Sequence, residues 1–151
     1  ILHHSAHEMG HELMALDDLA LLGVPRAQVQ QSDPLPGTWA WVNFFHYEVT
    51  NRRPIAAMGV LYFLEGMAAK LAPIVGKQLA QVLTGEQRKA VSFVQEHGEL
   101  DAEHSEEGRE MLALYCTDPL DADELERTIL LGGAIKRFLL DDLVQKTLSA
   151  R

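Results

Sequence analysis

Three short stretches of the chain place histidine and carboxylate side chains together at helical spacing. They are Glu8-x-x-His11, a single Glu65 within an apolar run, and His97-x-x-x-Asp101-x-x-His104. A helix turns by about 100° per residue, so side chains three, four and seven residues apart lie on one face. The three imidazoles and three carboxylates could supply two metal ions with about three protein ligands each. The pattern therefore predicts a two-metal centre.

Glu65 is the most informative single residue of this set. Apolar residues occupy positions 60–64 before it, and small or apolar residues occupy 66–69 after it. A carboxylate on a buried helix costs several kcal/mol unless it is paired or bound to metal. The alternative is that Glu65 reaches a surface edge or pairs with Lys70 or an arginine.

His97, Asp101 and His104 form the second part of the pattern. Many acids around them suggest a solvated helix face, which is the alternative interpretation. However, the three residues lie close to the apolar stripe of the helix, whereas the acids mostly do not; that stripe contains Val94, Leu100, Met111 and Leu114. We therefore interpret all three as metal ligands.

Glu8 and His11 have the Glu-x-x-His spacing that di-iron carboxylate bundles use. The spacing alone is a weak signal because the same segment also contains His3, His4 and His7. Imidazole and carboxylate donors without thiolate favour iron, with manganese as the alternative. Cys116 is the single cysteine, which excludes a thiolate-rich site and an internal disulfide framework.

Helices joined by short connections rich in Pro and Gly must position these residues. The periodicity predicts an all-α bundle of five to six helices without a sheet, forming a single domain over residues 1–151. The predicted helices cover residues 2–22, 39–52, 55–71, 74–83, a long stretch from the Thr84 capping box to 115, and 121–148. The predicted boundaries are a stop at Gly23, a cap at Thr38, Pro54 in a first turn, a kink or restart at Pro73, and a start at Asp121.

The other polar residues are interpreted mainly as surface residues. Asp17 and Asp18 are predicted to be surface acids. His46 and Glu48 form a reserve pair, in which Glu48 is either an additional metal ligand or, as we favour, part of a polar surface. In that second interpretation, Tyr47 or Phe44 faces the core.

Composition narrows the class of protein. The chain has 151 residues and a net charge of −9, which argues against binding nucleic acid or an anionic membrane through a basic surface. The apolar run at 55–64 is short for a membrane span, and the first residues lack the pattern of a secretory signal. We therefore expect a cytoplasmic protein without a membrane partner, and a homodimer is compatible with the sequence.

These motifs resemble those of the haem-oxygenase-like di-iron oxidases and oxygenases, the iron-containing redox enzymes. The matching segments are Glu8-Met-Gly-His11, Leu19-Ala-Leu-Leu-Gly23, Gly59-Val-Leu-Tyr-Phe-Leu-Glu65-Gly66 and His97-Gly-Glu-Leu-Asp101-Ala-Glu-His104. The resemblance implies a haem-oxygenase-like helical fold and two irons that assemble with O2 as co-substrate. Such enzymes decarboxylate fatty acids to alkenes, N-oxygenate or cleave amino acids, or make an aromatic amine from their own tyrosine.

The resemblance also implies roles for individual residues. One iron would take Glu8, His11 and either His104 or His97, with Glu65 bridging. The second iron would take the remaining histidine and Asp101. Glu65 and Asp101 are the expected catalytic residues. Members of the family usually have a further helix before this point, so the chain is expected to lack an N-terminal helix. Where some members carry the first glutamate, this chain has His4.

We therefore expect an O2-dependent non-haem di-iron oxidase or oxygenase acting on a small amino-acid-like or fatty-acid-like substrate. The expected substrate-binding residues are Trp41, Phe45, Met58 and Tyr62, with Phe63 beside them. One alternative is a haem-binding, haem-degrading oxygenase with His7 or His11 as proximal ligand. Another is a non-catalytic metal-binding helical module. Thiamin-degrading chemistry needs a cysteine in the pocket, and Cys116 is poorly placed for that.

Overall fold

The computed structural model describes residues 8–149, apart from the side chains of residues 99 and 101–103. Within this part, the chain forms six α-helices and one 3-10 helix, and no strand. They are α1 (His11–Leu21), α2 (Arg26–Gln31), α3 (Pro36–Asn51), α4 (Pro54–Val82), the 3-10 helix (Gly85–Lys89), α5 (Ser92–Tyr115) and α6 (Pro119–Ser149). The prediction of an all-α chain is confirmed, with seven helical elements rather than five or six.

The predicted helix over residues 2–22 is interrupted within the described part. α1 begins at His11, because Gly10 before it adopts φ 98°, in the left-handed region. Glu8 therefore lies in a turn and not on the helix, while residues 1–7 are outside the described part. The end of α1 is as predicted. Gly23 has φ 89°, and the amide of Val24 donates to the Leu19 carbonyl at 2.9 Å, which closes a Schellman motif.

The boundaries of α3 and α4 agree with some of the predicted helix ends and contradict others. α3 begins at Pro36, so Thr38 lies inside the helix and the predicted cap at Thr38 is wrong. Pro54 opens α4 as predicted. The predicted restart of the helix at Pro73 is wrong, because α4 continues through it to Val82. The alternative, a kink at Pro73, stays a prediction. α5 packs closely at this point, since a Cβ placed on Gly98 would lie 3.7 Å from the Pro73 ring. This packing offsets the hydrogen bond that the proline removes.

The predicted capping box at Thr84 is also wrong. The Thr84 side chain makes no capping hydrogen bond, and a 3-10 helix follows in its place. α5 begins at Ser92, where the cap comes from another helix. Asp18 of α1 accepts a hydrogen bond from Ser92 Oγ at 2.8 Å and another from the Phe93 amide at 2.9 Å. Asp18 is consequently buried, and its prediction as a surface acid is wrong.

The last helix starts two residues earlier than predicted. It begins at Pro119 rather than at Asp121. Asp118 provides the cap, because its Oδ1 accepts a hydrogen bond from the Asp121 amide at 2.9 Å. Pro119 is the first helical residue, where its missing N–H has no cost.

The helices divide into two compact units. Unit 1 comprises Ile1–Ser32 and Glu65–Ser105, and unit 2 comprises Asp33–Leu64 and Glu106–Arg151. The buried apolar residues of unit 2 are Phe44, Ile55, Ala56, Val60 and Leu112, and those of unit 1 are Ala90 and Val91. Among the described helices, α4 alone is long and apolar enough to cross a membrane, and the core helix of a soluble protein meets the same criterion. The single domain over 1–151 stays a prediction.

Candidate metal centre

Glu8, His11 and His97 come together in unit 1. One ligand atom from each residue lies within 4.8 Å of the other two. Glu8 Oε2 is 3.1 Å from His11 Nδ1 and 3.9 Å from His97 Nε2. The two imidazole rings meet edge to face, with centroids 4.7 Å apart. The turn at Gly10 brings Glu8 back towards His11, so the two side chains meet although Glu8 is not helical.

Asp18 holds the two helices that carry these histidines. His11 and Asp18 are seven residues apart on α1, and therefore lie on the same face. Because Asp18 caps α5 at Ser92, it fixes the start of that helix beside α1, and His97 follows within two turns. The sequence interpretation missed this role. The seven-residue spacing from His11 is the signal that could have found it.

The hydrogen bonding of His97 fixes which nitrogen is available as a ligand. Its Nδ1 lies 2.7 Å from the carbonyl oxygen of Phe93. A carbonyl oxygen only accepts, so Nδ1 carries the proton and the neutral ring keeps a lone pair on Nε2. The Phe93 ring packs on the imidazole at 4.1 Å between centroids. Metal-binding histidines usually donate their second nitrogen to a carbonyl or carboxylate in this way.

The two oxygens of Glu8 face different imidazoles. Oε2 is directed to His11 and His97, whereas Oε1 lies 3.8 Å from His104 Nδ1. His104 is buried, with 4% of its side chain exposed. Within the described part of the chain, Glu8 pairs with no Arg or Lys. An imidazole is not a permanent cation, so these contacts leave the carboxylate charge without a fixed counter-charge.

The packing of α4 against α5 places Glu65 along the site. A Cβ on Gly66 would lie 3.6 Å from Ser105 Oγ, and a Cβ on Gly76 would lie 3.7 Å from Val94. The two helices therefore run antiparallel, and the half-buried Glu65 lies level with His104. His97 lies seven residues before His104 on α5, which is about 10 Å at the helical rise of roughly 1.5 Å per residue. The backbone of Asp101 lies between them, but its side chain is outside the described residues.

The predicted substrate-binding residues all belong to unit 2. Trp41 packs against Phe44 and Phe63, with ring centroids 5.7 and 6.4 Å away. Lys136 Nζ stands 5.1 Å from the centre of the Trp41 ring, and burial lowers the pKa of this ammonium group. The other predicted residues, Phe45, Met58 and Tyr62, are half-buried. Their roles towards a substrate stay predictions.

Glu48 is not part of a polar surface, so that prediction is wrong. Only 1% of its side chain is exposed, and its Oε2 accepts hydrogen bonds from Arg127 Nη2 and, at 3.1 Å, from Thr128 Oγ1. Arg127 neutralises this carboxylate without a metal. The sequence signal was the position of Glu48, four residues after Phe44 on the apolar face of α3. Phe44 is buried and Tyr47 is exposed.

A second acid of unit 2 is neutralised in the same way. Glu124 accepts hydrogen bonds from Arg52 Nε at 2.7 Å and from Arg52 Nη2 at 2.5 Å, and it also bonds Arg127 Nε at 3.2 Å. The two guanidinium groups, Arg52 above all, lower the pKa of Glu124 from 4.5 to about 2.

A family model described as "Iron-containing redox enzyme" matches residues 1–135 of the chain. No curated protein sequence and no solved structure matches the chain. The family match spans all of the residues that the sequence pattern and the geometry bring into the candidate metal centre. The residues after 135 include Lys136 and the second half of α6.

Proposed function

The chain belongs to the family of iron-containing redox enzymes, and from this premise we propose that it is an O2-dependent, non-haem di-iron oxidase or oxygenase. The family supports an iron-dependent oxidoreductase in general. The observation that carries the finer proposal is the cluster of Glu8, His11 and His97, whose ligand atoms lie within 4.8 Å of one another.

The donor set of this cluster fits iron. Two imidazoles and one carboxylate, with no thiolate, suit Fe and also Mn. His97 offers a lone pair on Nε2 because Phe93 binds its other nitrogen. Glu8 supplies a negative charge that no Arg or Lys among the described residues neutralises. Glu8, His11 and His97 would hold one iron.

The second iron would share Glu8. Its Oε1 faces His104 while Oε2 faces the other two histidines, so a single carboxylate could serve both ions. Glu65 lies level with His104 along the helix pair, and Asp101 lies one turn before His104 on α5. We propose these residues as the remaining ligands of the second iron. Glu8 would then be a shared ligand in addition to the bridging Glu65 that the resemblance implies.

The protein residues would set the geometry of this chemistry. When bound, the two irons supply the electrons that reduce O2. Asp18 holds α1 and α5 together, and Phe93 orients the ring of His97. The proposed substrate is amino-acid-like or fatty-acid-like, and both classes carry a carboxylate. Lys136 supports this choice, because it makes no ion pair with the described residues and lies beside Trp41.

A haem-degrading enzyme on the same fold would need one proximal histidine and no further metal ligands. His11 instead lies with Glu8 and His97 in a cluster of three donors, which is more than a single haem iron requires. No contact of the described residues favours haem over two non-haem irons. If haem were the cofactor, adding it would give a Soret band that His11→Ala removes.

Anaerobic loading with Fe(II) tests the proposal. We expect about two irons per chain by metal analysis and an optical change when O2 is admitted. His97→Ala should lower the iron content and the optical change together. His46→Ala, which removes an exposed histidine of unit 2, should leave both unchanged. Less than one iron per chain and no O2-dependent change in the unsubstituted protein would refute a di-iron oxidase.

A further inference from the structure

A groove lies between α3 and α6 of unit 2, and it contains no residue of the proposed metal centre. Its volume is about 510 Å³. Small-molecule sites generally have volumes of roughly 300–1,000 Å³. One wall is apolar and consists of Phe44, Leu131 and Ile135, while Glu48 and Arg127 also line the groove. The size and the mixed lining suit a small molecule with an apolar part and a polar end.

Thr128 and Glu124 hold the two charged residues of the groove in place through hydrogen bonds. Thr128 is fully buried; its Oγ1 accepts a hydrogen bond from Arg127 Nη2 and donates one to Glu48 Oε2, each at 3.1 Å. Glu124 binds the Nε of the same guanidinium group at 3.2 Å. Both lining charges are therefore fixed before any ligand arrives, which lowers the entropic cost of binding.

One atom of each lining charge is not used by this network. The hydrogen bonds to Glu48 all go to Oε2, and those from Arg127 leave from Nε and Nη2. No described residue bonds Glu48 Oε1 or Arg127 Nη1. Both side chains line the groove, where a bound molecule can reach these two atoms. The groove thus offers one strong acceptor and one strong donor.

The charges at the groove indicate which class of ligand would bind most favourably. Glu48, Glu124, Arg52 and Arg127 sum to zero, so a lone anion would meet the two acids and a lone cation the two guanidinium groups. A molecule with both an ammonium and a carboxylate group would satisfy Glu48 Oε1 and Arg127 Nη1 together. We propose that this groove binds an apolar α-amino acid, with its ammonium on Glu48, its carboxylate on Arg127 and its side chain against Phe44 and Leu131.

Titration calorimetry with L-leucine and two matched analogues tests the proposal. L-Leucine should bind with a millimolar or tighter dissociation constant. N-Acetyl-L-leucine lacks the ammonium charge, and L-leucinamide lacks the carboxylate. Each analogue should bind at least about tenfold more weakly, equal to about 1.4 kcal/mol. Equal binding of N-acetyl-L-leucine would overturn the placement of the ammonium on Glu48, and equal binding of L-leucinamide would overturn that of the carboxylate on Arg127. No binding of L-leucine would overturn the site.

Substitutions locate the binding. Leu131→Trp should fill the groove and abolish L-leucine binding, whereas Leu130→Trp adds the same bulk at an exposed position outside the lining and should not. Leu131 lies outside the ion-pair network, so this variant should keep its unfolding free energy. Glu8→Gln should leave L-leucine binding intact even if it removes iron. Binding that is lost in Glu8→Gln but kept in Leu131→Trp would place the amino acid elsewhere. A dimer that Leu131→Trp dissociates would identify the groove as a subunit interface and overturn the proposal.

Discussion

The two units treat their acidic side chains differently. In unit 2, Glu48 and Glu124 are paired with the guanidinium groups of Arg127 and Arg52, which carry a permanent charge. In unit 1, Glu8 faces only the imidazoles of His11, His97 and His104 among the described residues. Unit 2 therefore neutralises its acids with the protein itself. In unit 1, the Glu8 carboxylate is 37% exposed and has no permanent positive charge beside it among the described residues, so it stays available to the proposed iron.

This difference separates two kinds of polar cluster, one buried in unit 2 and one half-buried in unit 1. When a buried acid is paired with Arg, removal of either partner destabilises the fold, because the other charge stays buried without compensation. An acid with imidazole partners contributes little to folding without metal, but it offers metal ligands with lone pairs. Substitution of acids in the two units should therefore affect different properties: stability in unit 2, and iron binding in unit 1.

Glu48→Ala should produce the largest loss of stability. It leaves the partly buried charge of Arg127 without one partner and exposes Thr128 Oγ1 to an empty space. We expect a loss of about 3 kcal/mol in the free energy of unfolding, at the low end for a broken buried pair because Arg127 is 35% exposed. Glu8→Ala in the metal-free protein should cost less than about 1 kcal/mol. Urea unfolding measures both, and equal losses would contradict the comparison.

The close contact between α3 and α6 in unit 2 should not tolerate a larger side chain. A Cβ on Gly37 of α3 would lie 2.5 Å from Leu139 Cα of α6, which is backbone and cannot turn away. Gly37→Ala should cost about 1–3 kcal/mol or more. In unit 1, Gly76→Ala meets only Val94 at 3.7 Å and should stabilise α4 by up to about 1 kcal/mol. Thermal unfolding compares them, and a neutral Gly37→Ala would contradict the close approach.

Acid should weaken unit 2 through Glu124. The folded pKa of this carboxyl group is lowered from 4.5 to about 2, so its contribution is present above pH 4.5 and is lost as the pH falls towards 2. Because Arg52 is 36% exposed and solvent screens the pair, we expect a loss of about 1–3 kcal/mol over this range. Urea unfolding of the protein and of Glu124→Gln measures it. The variant should lack this part of the pH dependence, and an unchanged profile would refute the assignment.

A small effect on stability and a larger one on iron binding are expected where α1 meets α5. Asp18→Ala removes the cap of α5 and should cost about 1 kcal/mol. It should also lower iron affinity by about 10–100-fold, since partners that orient metal ligands have effects of this size. Asp17→Ala is the control, because Asp17 pairs with Arg26 on the exposed surface. Iron affinity that is equal in the two variants would show that Asp18 does not position the histidines.

Local signals in the sequence predicted the parts of the fold that depend on local chemistry. Gly23 ends α1 and Pro54 begins α4 as expected, because each satisfies or avoids hydrogen bonds of its own turn. The errors at Pro73 and Thr84 have another cause. Packing of α5 against α4 keeps the helix continuous at Pro73. The cap of α5 comes from Asp18, 74 residues before Ser92, and no local pattern contains that contact.

The candidate site was predictable to the same extent. Spacing grouped His97 with His104 and Glu8 with His11, and Glu8 lies within 3.9 Å of all three imidazoles. A turn rather than a helix brings Glu8 to His11, and the ligand roles of these residues stay predictions. Spacing could not reveal that Glu8 faces three histidines, because that depends on how α1 and α5 pack. It also could not distinguish Glu48 from a surface acid, because its partner Arg127 is 79 residues away.

Anomalous scattering at the iron edge, from crystals of protein loaded anaerobically with Fe(II), would show whether Glu8 and the histidines around it hold iron. We expect two iron peaks in unit 1. One should contact Glu8, His11 and His97, and the other should contact Glu8 and His104. The absence of iron at Glu8, or iron bound at Glu48 of unit 2 instead, would contradict it.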